Sequence, residues 1–200
     1  MATTATPYGL KPINLIGGLP FAGSTRQIKI ASAYDTNIYN GSIVSIVAAG
    51  TIEIVVTNGD NSTTFPAGTV GVFVGCTYTN SDGQLTFRQY WPADTVASDA
   101  KAYIVDDPSC LFQVQAAGSV TQADLGQNTH LNAVQSTSTG STATGNSDTA
   151  ADATTGTTNT WAFRIVDFVD SPTSSVGDAY TDLIVKFNPS QHSYTNGTGI

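Results

Sequence analysis

Helices have almost no material to be built from in this chain. Glu occurs once, at Glu53, Lys four times and Leu eight times in 200 residues, whereas Thr occurs 30 times and Val and Ile together 29 times. β-Branched side chains lose rotamer freedom against the preceding turn of a helix but pack well on a pleated surface. The composition therefore predicts an all-β protein. Nineteen glycines, spread without a three-residue period, supply turns rather than a collagen repeat. With 40% hydrophobic residues the chain can bury a core and fold. No apolar run approaches the roughly 20 residues of a membrane helix. The first residues, Met1 to Pro7, carry neither a basic stretch nor an apolar one, which gives the expectation of folding in the cytoplasm where the chain is made.

Charge excludes one class of partner. Charged residues are only 11% of the chain and the net charge is −8. The bases are Lys11, Arg26, Lys29, Arg88, Lys101, Arg164 and Lys186, and none falls between 102 and 163. No basic stripe exists to neutralise phosphates, so neither nucleic acid nor an anionic membrane is expected as a partner.

Along the chain, residues 1–25 hold Pro7, Pro12 and Pro20 among aperiodic apolar residues, which reads as an extended N-terminal arm. Residues 26–200 read as a single β domain, an antiparallel barrel or sandwich, with strands expected at 26–31, 42–48, 51–57, 69–79, 84–91, 101–106, 111–116, 161–169 and 180–187. Asn58-Gly59 and Asp82-Gly83 are hairpin dipeptides that accept positive φ. In the last strand Thr181, Leu183, Val185 and Phe187 alternate with Tyr180, Asp182, Ile184 and Lys186, placing one face in the core. Residues 119–125 allow one short helical turn. A Ser/Thr/Gly-rich insertion at 136–160 has no Val, Ile, Leu, Met, Phe, Tyr or Trp, and is expected to need a neighbouring subunit to order it.

No catalytic pattern stands out. His130 and His192 lack a nucleophile elbow and read as loop histidines with solvent partners. Cys76 and Cys110 sit in apolar strands without a C-x-x-C and read as buried thiols. Asp106-Asp107 precedes Pro108 and reads as a strand end entering a turn, and Asp167 and Asp170 close a strand. Asn58 to Ser62 places oxygen side chains at alternate positions but lacks the acid a calcium loop needs, so a hairpin turn explains it better. The glycine pairs lack the strand and helix context of phosphate loops. The reading is of a non-enzymatic protein without cofactor or metal. Two groups remain for binding. Trp91 and Trp161 are a sugar platform, an interface anchor or core. The arm, through Tyr8, Leu10, Pro12, Ile13, Leu15, Ile16, Leu19 and Phe21, carries too much apolar surface for a solvated tail, at about 1.5–3 kcal/mol for each large apolar side chain fully buried. It must fold back on its own sheet or lie across a neighbour, and its stiff prolines favour the neighbour.

Four phrases carry a resemblance: Tyr8-Gly9-Leu10-Lys11-Pro12, Tyr39-Asn40-Gly41-Ser42-Ile43-Val44, the run from Gly71 to Tyr78, and Gly177-Asp178-Ala179-Tyr180 leading to Val185-Lys186-Phe187-Asn188. With them the chain resembles head decoration, or cement, proteins of short-tailed marine bacteriophages. The resemblance implies a β-rich virion protein on the outer surface of the capsid, a homo-oligomer, with a trimer favoured, that binds the major capsid protein. The alternative is a carbohydrate- or receptor-binding β module of a phage tail or fibre.

Overall fold

A computed structural model describes residues 4–55, 65–132 and 139–200. Its strands are β1 (Lys11–Leu15), β2 (Arg26–Lys29), β3 (Ile43–Ile46), β4 (Ile52–Ile54), β5 (Thr69–Thr79), β6 (Leu85–Arg88), β7 (Lys101–Val105), β8 (Cys110–Gln115), β9 (Asn128–Thr129), β10 (Phe163–Phe168) and β11 (Asp182–Phe187). They form two antiparallel sheets, one ordered β1-β8-β11-β10-β9 and the other β2-β7-β5-β3-β4, with β6 also paired to β5. The sheets pack as a sandwich and do not close into a barrel. Among the described residues helix is confined to two 3-10 turns, Gln122–Asp124 and Pro189–Gln191, the first of them within the stretch that the sequence allows a turn.

β11 shows the expected alternation, with Leu183, Val185 and Phe187 buried and Asp182, Ile184 and Lys186 partly exposed. Phe187 lies at the centre of an aromatic cluster, 5.3 Å from Phe163 and 5.6 Å from Phe112 between ring centroids. These side chains meet Ile43, Val72 and Val105 of the second sheet in the core between the layers. The second sheet has a further core on its other face. Val44, Phe73, Cys76, Ala102 and Ile104 point there and are covered by Ile30, Ile38, Trp91, Ala97 and Ala100 from the connecting segments. Burial on both faces explains why β5 reads as a nearly unbroken apolar run while β11 alternates.

The Asp82-Gly83 hairpin forms as predicted between β5 and β6. The Asn80 side-chain oxygen accepts the backbone N–H of Asp82 and of Gln84, and Gly83 takes a φ of 76°. Asn58-Gly59, and with it the run Asn58 to Ser62, lies outside the described residues.

Two expectations about uncovered segments are corrected. Residues 11–15 of the arm fold back on the protein's own sheet: they are β1, the edge strand of the first sheet, paired with β8 from Lys11↔Gln113 to Leu15↔Cys110. The chain then reverses, with the Leu15 N–H donating to the Leu19 carbonyl. The prolines are compatible with this because an edge strand leaves N–H positions without ladder partners. The segment 139–160 is likewise anchored on its own chain, by reciprocal backbone hydrogen bonds between Asn128 and Gly156 (2.8 and 3.0 Å) and by the Ala151 N–H donating to the Gln115 carbonyl (3.0 Å). Ser147, Thr149, Ala150 and Ala151 are buried there. Small side chains let the backbone come close enough to pair, so hydrogen bonds replace the apolar anchor that composition lacks.

Candidate functional site

Two large apolar side chains stand exposed together on β6. Leu85 and Phe87 are 75% and 64% exposed although they lie in a strand. They are two residues apart and so share a face. Register extends that face: Phe87 is opposite Thr77, Thr77 opposite Lys101, and Lys101 opposite Lys29, while Thr79 is opposite Leu85. Tyr103 packs its ring 6.0 Å from that of Phe87. This platform continues the face that packs against the first sheet at Val72 and Val105, beyond the point where the first sheet ends. The outer edge of β6 pairs with no strand among the described residues. A hollow of about 390 Å³ lined by Phe87, Gln89, Tyr90, Thr142 and Thr144 lies alongside. An unpaired edge beside exposed aromatic and aliphatic side chains is the physical form of a protein-binding surface.

The arm residues separate by place. Leu10 is fully buried in the core between the sheets, and Leu15 and Phe21 pack against that core. Pro12 is opposite Phe112 in the ladder, and Ile13 is half-buried at the register shift beside it. Tyr8 lies half-buried outside the first sheet, its ring 3.9 Å from the Lys11 ammonium. Its hydroxyl faces Asp182 and Gln113 without completing a hydrogen bond, and burial together with the Asp182 charge raises its pKa. Ile16 and Leu19, 51% and 65% exposed, are the arm residues that present large apolar surface.

Neither tryptophan is a free platform. Trp91 has no exposed surface: Tyr78 meets it edge-on at 5.4 Å and its indole N–H donates to the Tyr34 carbonyl. That removes it from any sugar-stacking or partner-facing role. Trp161 is half-buried against His130, at 4.9 Å between ring centroids. Leu10 and Trp91 are thus corrected from candidate partner contacts to core residues, a distinction that an apolar residue in an aperiodic stretch or a strand end does not reveal.

The histidines are corrected too. Both are buried rather than solvated. His192 lies among Phe187 and Tyr194, and its Nδ1 accepts the Tyr194 backbone N–H, which makes the ring neutral with its proton on Nε2. Nε2 is enclosed and faces the Val70 backbone without a hydrogen bond of good geometry. Burial lowers the His192 pKa below its ordinary 6.5, and the nearby Asp106 charge only partly opposes this. Because the unfolded chain binds that proton more readily, stability falls as pH drops below about 6.5. Asp99 and Asp124, held low by hydrogen bonds from Thr79 and Thr155, lose their contribution only below the ordinary aspartate value of 3.8. The expected result is that His192→Gln flattens the stability curve as pH falls below 6.5, leaving the limb below the ordinary aspartate value of 3.8 unchanged, as measured by urea unfolding at each pH. An unchanged slope would assign that pH dependence to other groups.

The carboxylates serve turns and ties. Asp106 takes the Arg26 guanidinium and the Tyr194 hydroxyl, and Asp107 accepts the Ser109 N–H at 2.7 Å. Cys76 and Cys110 are free and buried in different cores, and burial pushes both thiols up to about 12. No group of three metal-ligating side chains gathers among the described residues. Comparison of the chain with protein-family models, with curated proteins and with solved structures gives no match.

Proposed function

We propose that this protein is a structural component of a phage virion, a decoration or cement protein that stabilises the assembled head by binding the major capsid protein on its outer surface, as a homo-oligomer. The observation that carries the binding role is the β6 platform, where Leu85 and Phe87 stand exposed beside an unpaired strand edge. The head context comes from the four phrases that resemble decoration proteins, and two of them meet in space: Gly9 and Gly41, both at positive φ, bring the arm and the entry to β3 into backbone contact. Lys29 and Lys101 flank the platform, which suits an acidic rim around an apolar contact on the shell.

Full burial of Leu85 and Phe87 would contribute about 1.5–3 kcal/mol each. The double variant Leu85→Asp, Phe87→Asp is therefore expected to weaken attachment by roughly a hundredfold or more, since about 1.4 kcal/mol is a factor of ten. Both side chains face water in the isolated protein, so its melting temperature should change little. The measurement is co-sedimentation with expanded shells that lack the protein. Undiminished occupancy by the double variant would remove the platform from the attachment surface, and failure of the unaltered protein to bind any shell would remove the head assignment.

A further inference from the structure

On the outward face of the other sheet, Arg164 of β10 and Lys186 of β11 stand directly opposite each other in the ladder. Their neighbours Phe163, Ile165, Val185 and Phe187 point inward, so both cations project to the same outer side. Like charges in directly opposed positions destabilise a sheet. In a chain with 15 acids and seven bases, such a pair is an unfavourable use of two of the few cations present. Neither is paired with a carboxylate among the described residues.

The two cations border a groove of about 330 Å³ whose remaining walls are Ile16, Val166, Asn188 and Pro189. No acidic side chain among the described residues lines it. A second hollow of about 270 Å³, lined by Asn128, Asn159 and Ser190, shares Arg164, Asn188 and Pro189 with the first. Arg164 is oriented between them, because its Nε donates to the Asn128 side-chain oxygen at 3.1 Å. That bond leaves the two terminal guanidinium nitrogens for a ligand.

We propose that this groove binds an extended, acidic segment of a protein partner, one carboxylate lying between Arg164 and Lys186 and an adjacent apolar side chain on Ile16, Val166 and Pro189. A guanidinium and an ammonium side by side match a carboxylate, which also relieves their mutual repulsion. The apolar wall favours a peptide over a phosphate polyanion, which would gain nothing from it. The net charge of −8 further disfavours a polyanion, whose remaining charges would meet an acidic surface.

The test is a nuclear magnetic resonance titration of the intact chain with three probes. The first is a capped heptapeptide of alternating valine and glutamate, the second is the same peptide with glutamine for glutamate, and the third is inorganic phosphate. The glutamate peptide is expected to shift the signals of Ile16, Arg164, Val166 and Lys186, and to bind at least about tenfold more tightly than the glutamine peptide. Raising salt to about 1 M, where the screening length is about 3 Å, should weaken it. The double variant Arg164→Gln, Lys186→Gln should abolish the shifts while leaving the melting temperature unchanged or raised, because an opposed like-charge pair has been removed. Equal binding of the two peptides, or binding unchanged in the double variant, would overturn the proposal. So would phosphate producing the same shifts as tightly as the peptide, which would make this a simple anion site.

Discussion

A chain lacking residues 1–21 is expected to lose most of its stability and to aggregate, not to persist as a folded body without its arm. Leu10 is fully buried between the sheets, and Leu15 and Phe21 pack on the same core. Removing one buried Leu side chain costs about 2–5 kcal/mol when a cavity is left. The truncation removes more than that: it also removes the β1 ladder against β8 and the bond from the Leu10 N–H to the Gly41 carbonyl (3.0 Å). Against a total stability of about 5–15 kcal/mol for an ordinary domain, the sum is enough to unfold it. A second effect follows from topology. Without β1, the β8 strand Cys110–Gln115 becomes a long edge with unpaired backbone groups and apolar neighbours. Thermal unfolding by circular dichroism, with light scattering recorded alongside, measures both. A truncated protein that melts cooperatively near the full-length temperature would show that β1 is dispensable to the fold.

Trp91→Ala is expected to cost about 3–5 kcal/mol, the usual range for a large aromatic removed from a core. Trp91 is the largest fully buried side chain and lies where the loop layer closes over the second sheet. Its backbone pairs with Ile38 in both directions, at 2.8 and 3.1 Å, and its ring fills the space against Tyr78. Loss of the ring leaves a cavity that two short, hydrogen-bonded loops cannot collapse into. Trp91→Phe keeps most of the volume and is expected to cost less than half as much. Urea unfolding of the two variants checks this. Equal, small effects would mean that the loop layer rearranges, and that the second core contributes little to the folding of the domain.

The strands from β2 onward, β9 excepted, were legible because their residues announce them. β-Branched runs bounded by Gly, Asn or Asp mark β3, β5 and β7, mixed aromatic and aliphatic runs mark β8 and β10, and the period of two marks the inner face of β11. β1 was hidden because its two residues Lys11-Pro12 and the shift at Ile13 break the period that reveals a strand. β9 is only the dipeptide Asn128–Thr129, too short to show any period. The candidate site divides in the same way. Ile16 and Leu19 were legible as apolar surface, whereas Leu85 and Phe87 had the look of ordinary strand residues. An alternating pattern tells which residues share a face, and it does not tell which face remains uncovered.

What local composition determined was therefore the all-β class, the hairpin at Asp82-Gly83, the buried thiols and the scarcity of positive charge. These depend on intrinsic backbone preference and side-chain hydration, which each residue carries with it. Only the tertiary structure decided that the arm completes the first sheet, that 139–160 is tied down by backbone hydrogen bonds, and that Arg164 and Lys186 face one groove. Those outcomes depend on partners distant in sequence, Gly41 for Leu10, Gln115 for Ala151 and β11 for β10. Pairing between distant segments is set by which surfaces the whole chain can bury together, and no single segment contains that choice.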